Sequence, residues 1–400
     1  MALRHASWLG LCALIACSSQ GGSLAETHAT SDDDAGTTPD ASAPDASAPD
    51  ASAPDASDDA GSQFGSGDSD AGPPATLTPS NLPADICDVS GMSNLDVPEG
   101  TTITIDSSTP CDALVPQGDG LPSICVHEYA TVTIAGTLNL RGPDAGSPAV
   151  AIVATGAFTV AGGGIIDARG DAVPSPVPAR EGPGAPDSRG AGALGTGGGA
   201  GHVTPGADSG LGRGGGGAVP TTGSQLAAGS AGAQGSSTFH PGGSGGRAGG
   251  AIQLVSCTTL DLHGIVSVSG TDGFPGEASV SAPSGGGGGG SGGTLLLEAA
   301  QISADGATFL ALGGSGGGGG FIFNASSGDV IPGGAGGTGG SGSSAPQAGQ
   351  PGVPGPQSFP SAPGGGGGAI GRIAINVPAG ASLPIVNADP PASFGVVATH

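Results

Sequence analysis

The chain has 400 residues, of which 85 are glycine and 35 are proline, and only 3% are aromatic. This composition excludes a large conventional core and is typical of low-complexity proteins. The formal net charge is −25, with eight basic residues in all, so a basic surface is excluded and no nucleic-acid partner is expected. Aliphatic residues are concentrated in a few short phrases, which indicates local order within a glycine-rich chain.

The N-terminus has the features of an export signal. Arg4 precedes an apolar run, residues 6–16, that is too short to span a bilayer. The run ends in Leu14–Cys17 (LIAC), which resembles the lipobox of bacterial lipoproteins. The resemblance implies a signal peptide at 1–16, lipidation of Cys17 and anchoring of the exported protein in a membrane through acyl chains. Ser18 favours the outer membrane or cell surface over inner-membrane retention; the alternative is an ordinary secretory signal with a chance cysteine.

Residues 17–80 are predicted to form a disordered acidic tether. They contain almost no large apolar side chains, and the unit Pro-Asp-Ala-Ser-Ala repeats from Pro39, Pro44 and Pro49. Regular prolines exclude helix, and repeated aspartates repel one another. Such a segment buries too little apolar surface to fold, so we expect a stalk between the lipid anchor and the rest of the chain.

Residues 81–400 are predicted to form an all-β domain. Apolar residues alternate with polar ones in a repeated phrase that glycine closes, with copies from Val132, Phe158 and Leu260. Alternation with period two indicates strands with one buried face. A fourth copy from Ile302 is one residue out of step, and its apolar positions are predicted at Leu310 and Leu312. The predicted inward-facing set comprises Val132, Ile134, Leu138, Leu140, Phe158, Val160, Leu260, Leu262, Val266 and Val268.

The repetition predicts how these units assemble. A lone unit cannot bury its apolar face, whereas stacked units can. We therefore expect a parallel β-helix-like solenoid, with an antiparallel β-sandwich as the alternative. Three long glycine tracts follow nearly the same point of three units, at Asp171–Ala248, Thr271–Ser291 and Gly314–Gly368. They are predicted to be loops on one edge that carry any binding, either disordered or packed as polyproline II strands.

Cysteine usage agrees with an exported protein. Once Cys12 is removed with the signal and Cys17 is lipidated, four remain: Cys87, Cys111, Cys125 and Cys257. An even number predicts two disulfides with three possible pairings. A bond between Cys111 and Cys125 would close a short loop and leave Cys87 with Cys257. Zinc is the competing interpretation, but the sequence has neither CxxC nor a paired-histidine motif.

No catalytic constellation stands out, and no cofactor or metal is predicted. The stretch Gly163–Gly170 (GGIIDARG) resembles a rung of β-helical pectin hydrolases, but the other motifs of that family are missing. Asp167 and Asp171 are the nearest approach to a carboxylate pair. The histidines of the domain share no ligand spacing. We therefore do not expect an enzyme.

Two further stretches resemble sequences of a known group of bacterial proteins. Gly246–Leu254 (GRAGGAIQL) and Gly364–Ile375 (GGGGGAIGRIAI) resemble phrases of glycine-rich surface lipoproteins of myxobacterial type, a group of unknown function. The resemblance implies a surface location and no particular activity. The sequence favours a structural or adhesive protein in weak multivalent contact with polysaccharide or neighbouring cells. The alternatives are a polysaccharide-acting β-helix enzyme and a passive glycine-rich coat.

Overall fold

The computed structural model describes residues 76–89, 92–106, 109–118, 121–141, 148–169, 196–210, 215–218, 224–235, 242–279, 283–323, 330–340, 345 and 362–399. The predicted signal peptide, Cys17 and the tether as far as residue 75 lie outside these ranges. Within them, no helix has the length and apolar character needed to cross a membrane.

The described chain is all-β, as predicted, and its one helical element is a short 3-10 turn at Ile86–Asp88. In chain order the strands are β1 (Leu77–Thr78), β2 (Leu95–Val97), β3 (Thr102–Ile105), β4 (Ala113–Val115), β5 (Ile124–Tyr129), β6 (Val132–Ile134), β7 (Thr137–Leu140), β8 (Ala149–Ala154), β9 (Phe158–Val160), β10 (Ile165–Asp167), β11 (Ala251–Leu262), β12 (Ile265–Ser267), β13 (Thr294–Ser303), β14 (Thr308–Leu310), β15 (Ile322–Phe323), β16 (Val330–Ile331), β17 (Arg372–Val377), β18 (Asn387–Asp389), β19 (Ser393–Val396) and β20 (Ala398–Thr399).

One sheet has six strands in the order β3-β7-β10-β12-β14-β18. Every neighbouring pair in it is parallel, and the order follows the order of the chain. The repeated phrases therefore pair with one another in register. Ile166 lies opposite Leu138 on one side and Val266 on the other, so equivalent apolar side chains form a continuous column.

A larger sheet joins two further sets of parallel strands through β11. Its main path is β4-β5-β8-β11-β13-β17-β19, and β2, β6 and β9 branch from β11. The first half of β11 pairs with β8, where Ile252 lies opposite Val150. The second half pairs with β9, where Leu260 lies opposite Phe158. Apart from β4–β5, these pairs are parallel, so the antiparallel sandwich is wrong.

The predicted inward set is confirmed. All ten of its side chains are at most 1% exposed and belong to one apolar cluster. The parallel register stacks Val132, Phe158 and Leu260 on one another, so each side chain packs above and below an apolar neighbour. Burial of each contributes about 1.5–3 kcal/mol to stability.

In the fourth copy of the repeated phrase, the side chains that face inward differ from the predicted ones. Leu310 and Leu312 are only half-buried, whereas Phe309 and Ala311 are fully buried. Phe309 lies opposite Val266, so it occupies the inward position. The turn before β14 passes through Gly306, whose φ is +80°, and it holds one more residue than the equivalent turn at Gly264. That extra residue reverses the alternation of inward and outward side chains.

The described parts of the glycine tracts pack into one body. Its central segment comprises residues 284–293. Backbone hydrogen bonds join this segment to six others: 197–200, 230–233, 243–249, 268–274, 314–320 and 363–369. Successive amides of the central segment point to three neighbours, and each direction recurs every third residue. Gly287 and Gly290, for example, donate to Phe274 and Thr271. Three residues per turn is the geometry of polyproline II.

We call this body the glycine bundle: the central segment, its six neighbours and the marginal segment 332–340. Glycine is required because the chains approach so closely. The amide of Gly288 donates to Ala233 at 2.9 Å and its carbonyl accepts from Gly246 at 2.7 Å. A Cβ at Gly288 would lie less than 3.0 Å from the backbone of Gly198. The tracts therefore do not project as separate edge loops where they are described; they are packed together as polyproline II strands.

The outer face of the larger sheet is covered by two segments of chain, 77–86 and 224–228, which we call the covering segments. Leu77, Leu82 and Ile86 form a second apolar cluster with Leu226 and Ala228, packed against outward-facing residues of that sheet. Strand β1 also pairs with β20 in antiparallel fashion. Strand β1 therefore lies within the range 17–80 that the sequence assigned to the tether.

Candidate functional site

The four cysteines of the domain form two disulfides. Cys87 is bonded to Cys257, with their Cα atoms 5.6 Å apart, and Cys111 is bonded to Cys125, with theirs 5.3 Å apart. The first bond ties the covering segment around Ile86 to strand β11, and the second joins β5 to the chain just before β4. Both bonds therefore fasten peripheral chain to the parallel strands and are structural in placement.

Asp167 lies at the end of β10, next to the point where the chain leaves the sheets. Its carboxylate accepts hydrogen bonds from Nε and Nη2 of Arg169 at 2.9 and 2.8 Å, and Arg141 lies 3.8 Å away. Burial alone would raise the pKa of Asp167, but the hydrogen bonds from Arg169 and the charges of both arginines outweigh it and lower the pKa. Asp167 is therefore an ionised, paired carboxylate and not a proton donor. Asp171, its suggested partner, lies outside the described residues.

A polar network that the sequence did not predict lies on the outer face of β13. The Glu298 side chain is 0% exposed, and its two oxygens accept four hydrogen bonds. Oε2 accepts from the backbone amide of Ser80 at 3.0 Å and from Nε2 of Gln253 at 2.7 Å. Oε1 accepts from Oγ of Ser80 and from Nδ2 of Asn376 at 2.8 Å. The network fastens the covering segment to three parallel strands.

Beside this network lies a cleft of about 280 Å³ between β17, β19 and the covering segments. Its lining residues are Ser80, Ser224, Ala374, Asn376, Ser393, Phe394, Gly395 and Val396. None of them carries a charge, and two of them, Ser80 and Asn376, contact the Glu298 carboxylate. The residues come from three distant parts of the chain, and this is why no local motif marked them. The one signal in the sequence is a glutamate within the apolar run Leu295–Ala300.

The described residues contain no group of three or more histidine, cysteine, aspartate or glutamate side chains that could hold a metal ion. His202 is fully buried beside Thr294. Burial, with the nearby charge of Arg372, lowers its pKa to about 4. The His263 side chain is 40% exposed. A hydrogen bond to the Asp305 carbonyl and the charge of Asp261 raise its pKa. Neither histidine is part of a ligand set.

Comparisons of the chain with protein-family models, with curated proteins and with solved structures gave no match.

Proposed function

We propose that this chain is a lipid-anchored cell-surface protein with a structural or adhesive role, which contacts polysaccharide weakly and at many points. Its lipid attachment would be at Cys17, and its folded part would be a parallel β-helix-like solenoid joined to the glycine bundle. The proposal places the protein in an exported, oxidising environment, which suits its two disulfides.

Support for the solenoid comes from the order of the strands. The sets β5-β6-β7 and β8-β9-β10 occupy consecutive positions in the sheets, and β11 and β12 continue the same succession. Each set pairs in parallel with the next. Side chains from both sheets share one apolar cluster. A coil that advances by one strand spacing per turn would produce this pattern.

The observation that supports a structural role is the hydrogen bonding of the glycine bundle. Its central segment is satisfied by six neighbours, which gives a body held together by backbone contacts in place of a large core. In the marginal segment 332–340 every third residue is exposed, namely Pro332, Ala335 and Thr338. At about 3.1 Å per residue, such side chains recur roughly every 9 Å. A row of small side chains at regular spacing suits contact with an extended polymer, where weak contacts add through effective concentration.

The two alternative functions, a polysaccharide-acting enzyme and a passive coat, have less support than the structural or adhesive role. The enzyme interpretation depends on Asp167, whose carboxylate is engaged by Arg169 and Arg141. A passive disordered coat does not accord with tract glycines that are buried and hydrogen-bonded throughout 284–293. A rigid module on a stalk combines these observations with the lipobox at Leu14–Cys17.

The experiment is to display the full chain on bacterial cells and measure lipid attachment and adhesion. Labelled palmitate should enter the wild type but not Cys17→Ala, and equal labelling would disprove the anchor. Adhesion to polysaccharide particles should fall when Ala335→Asp and Thr338→Asp add charge to the exposed row. Thr102→Asp with Thr133→Asp adds the same charge at exposed positions of β3 and β6 and should leave adhesion unchanged. A wild type that adheres to no polysaccharide would refute the proposed role.

A further inference from the structure

The cleft beside β17 and β19 has an unusual hydrogen-bonding character, because its side-chain protons are already used inside the protein. Oγ of Ser80 donates to Glu298, and Oγ of Ser393 donates to the carbonyl of Ile373 at 3.1 Å. A hydroxyl has a single proton, so both can offer only lone pairs to a ligand. Oγ of Ser224 likewise points its proton toward Oδ1 of Asn81 at 3.5 Å.

The side-chain amide of Asn376 also presents a hydrogen-bond acceptor to the cleft. Its Nδ2 donates to Glu298 at 2.8 Å, and the reverse orientation would place an oxygen against a carboxylate. Its Oδ1 is therefore directed away from Glu298, and it lies beside Gly395, at which any Cβ would collide with it. Gly395 lines the cleft. The side chains around the cleft thus present acceptors and require a ligand that donates hydrogen bonds.

Charge narrows the class of ligand further. Glu298 is fully buried beneath Ser80 and Asn376, and its four hydrogen-bond donors are all neutral. Among the described residues no cationic side chain forms a salt bridge with it. A buried carboxylate without a counter-ion attracts positive charge, and the attraction is stronger near a low-dielectric interior than in water. The net charge of −25 acts in the same direction.

We propose that this cleft binds the protonated amine of a single amino-sugar unit. An ammonium group offers three donors and no acceptor, which matches the lining, and the sugar hydroxyls supply further donors. A cleft of about 280 Å³ lies at the small end of ligand pockets and suits one monosaccharide. The inference rests on the proposed polysaccharide contact and adds to it a defined subsite and a chemical class.

The test is a calorimetric or NMR titration of the purified full chain with glucosamine, glucose and N-acetylglucosamine, at a slightly acidic pH where the sugar amine is charged. We expect millimolar affinity for glucosamine, about tenfold weaker binding of the two neutral sugars and weakening by salt. Ser393→Val, which removes an acceptor and narrows the cleft, should reduce glucosamine affinity by about tenfold or more. Thr133→Val, at an exposed position on β6, is the matched control and should bind as the wild type does.

The outcomes separate this inference from the proposed function. Equal affinity for glucose and glucosamine, or unchanged binding by a folded Ser393→Val variant, would overturn the amine subsite. If the protein adheres to polysaccharide particles while showing no amine preference, only the subsite is lost. Equal binding of a lysine amide would show that the ammonium is recognised without the sugar, and this too would overturn the proposal. Circular dichroism of each variant establishes that it is folded before it is titrated.

Discussion

Nε2 of His202 lies 3.3 Å from Oγ1 of Thr294, where the glycine bundle meets the start of strand β13. The histidine is 0% exposed, and its Nδ1 has no hydrogen-bond partner among the described residues. A proton on this ring would be buried without a counter-charge and close to Arg372. This is the physical reason for a pKa of about 4.

We predict that acid destabilises the protein through His202. Because the pKa of His202 is about 4 in the folded state and 6.5 in its reference state, the unfolded chain binds a proton in that interval and the folded chain does not. This contribution to stability is complete above pH 6.5, falls as the pH drops toward 4 and then levels off. Its size is about 3 kcal/mol, at about 1.4 kcal/mol per pKa unit. Urea unfolding between these pH values should show a shallower pH dependence in His202→Gln than in the wild type.

His263→Gln provides the control for the pH experiment. In the wild type the pKa of His263 is raised by the hydrogen bond to the Asp305 carbonyl and by the charge of Asp261. Protonation of this ring therefore favours the folded state. Removing it should leave the acid-induced loss of stability unchanged or slightly steeper. If the wild type and His202→Gln instead lose stability in parallel, His202 is not the group responsible.

The glycine bundle should tolerate no added methyl group at its centre. A Cβ at Gly288 would overlap the backbone carbonyl of Gly198, whereas a Cβ at Gly118 meets no atom within 4 Å. Because backbone cannot move aside as a flexible side chain does, Gly288→Ala should cost about 1–3 kcal/mol or more. Gly118→Ala should be close to neutral. Thermal unfolding monitored by circular dichroism measures both, and equal melting temperatures would show that the bundle does not contribute to the cooperative fold.

The alternation of strand β11 gives a second matched pair. Leu262 is 0% exposed in the apolar cluster, whereas the Asp261 side chain is 43% exposed and lies 3.0 Å from His263. Leu262→Asp loses about 1.5–3 kcal/mol of apolar burial and also places a carboxylate in the core, so it should unfold the domain. Asp261→Asn alters one exposed charge and should change the melting temperature little. Comparable losses in the two variants would contradict the assigned orientation of the strand.

The strands could be predicted because their side chains carry the pattern. In β6, β9 and the second half of β11 one face is more buried than the other, so hydrophobicity alternates and the inward residues follow from the sequence. The fourth copy failed at Phe309 because a single positive-φ turn residue, Gly306, changes the parity without altering composition. Hydrophobic spacing alone does not register such a turn.

The glycine bundle and the Glu298 network could not be predicted in the same way. In the bundle the specificity lies in backbone hydrogen bonds, and residues 285–290 have no side chains to report which neighbour each amide meets. The marginal segment 332–340 does carry a recognisable sequence pattern. Pro332, Ala335 and Thr338 are each followed by two glycines, a three-residue repeat with one exposed row and two packed rows. Ser80 and Glu298, 218 positions apart, meet only through the fold, so no local pattern links them.

The two disulfides should contribute unequally to stability. Cys87 and Cys257 are separated by 170 positions, whereas Cys111 and Cys125 are separated by 14. A crosslink restricts the unfolded chain more when it closes a longer loop, so the chain-entropy model gives about 5 kcal/mol for the first and about 3 kcal/mol for the second. The first also holds the covering segment near Ile86 against β11, which protects the apolar cluster beneath it. The paired replacement Cys87→Ala with Cys257→Ala should therefore lower the urea midpoint more than Cys111→Ala with Cys125→Ala. The reverse order would mean that the hairpin of β4 and β5 limits stability and that the covering segment stays in place without its covalent tie.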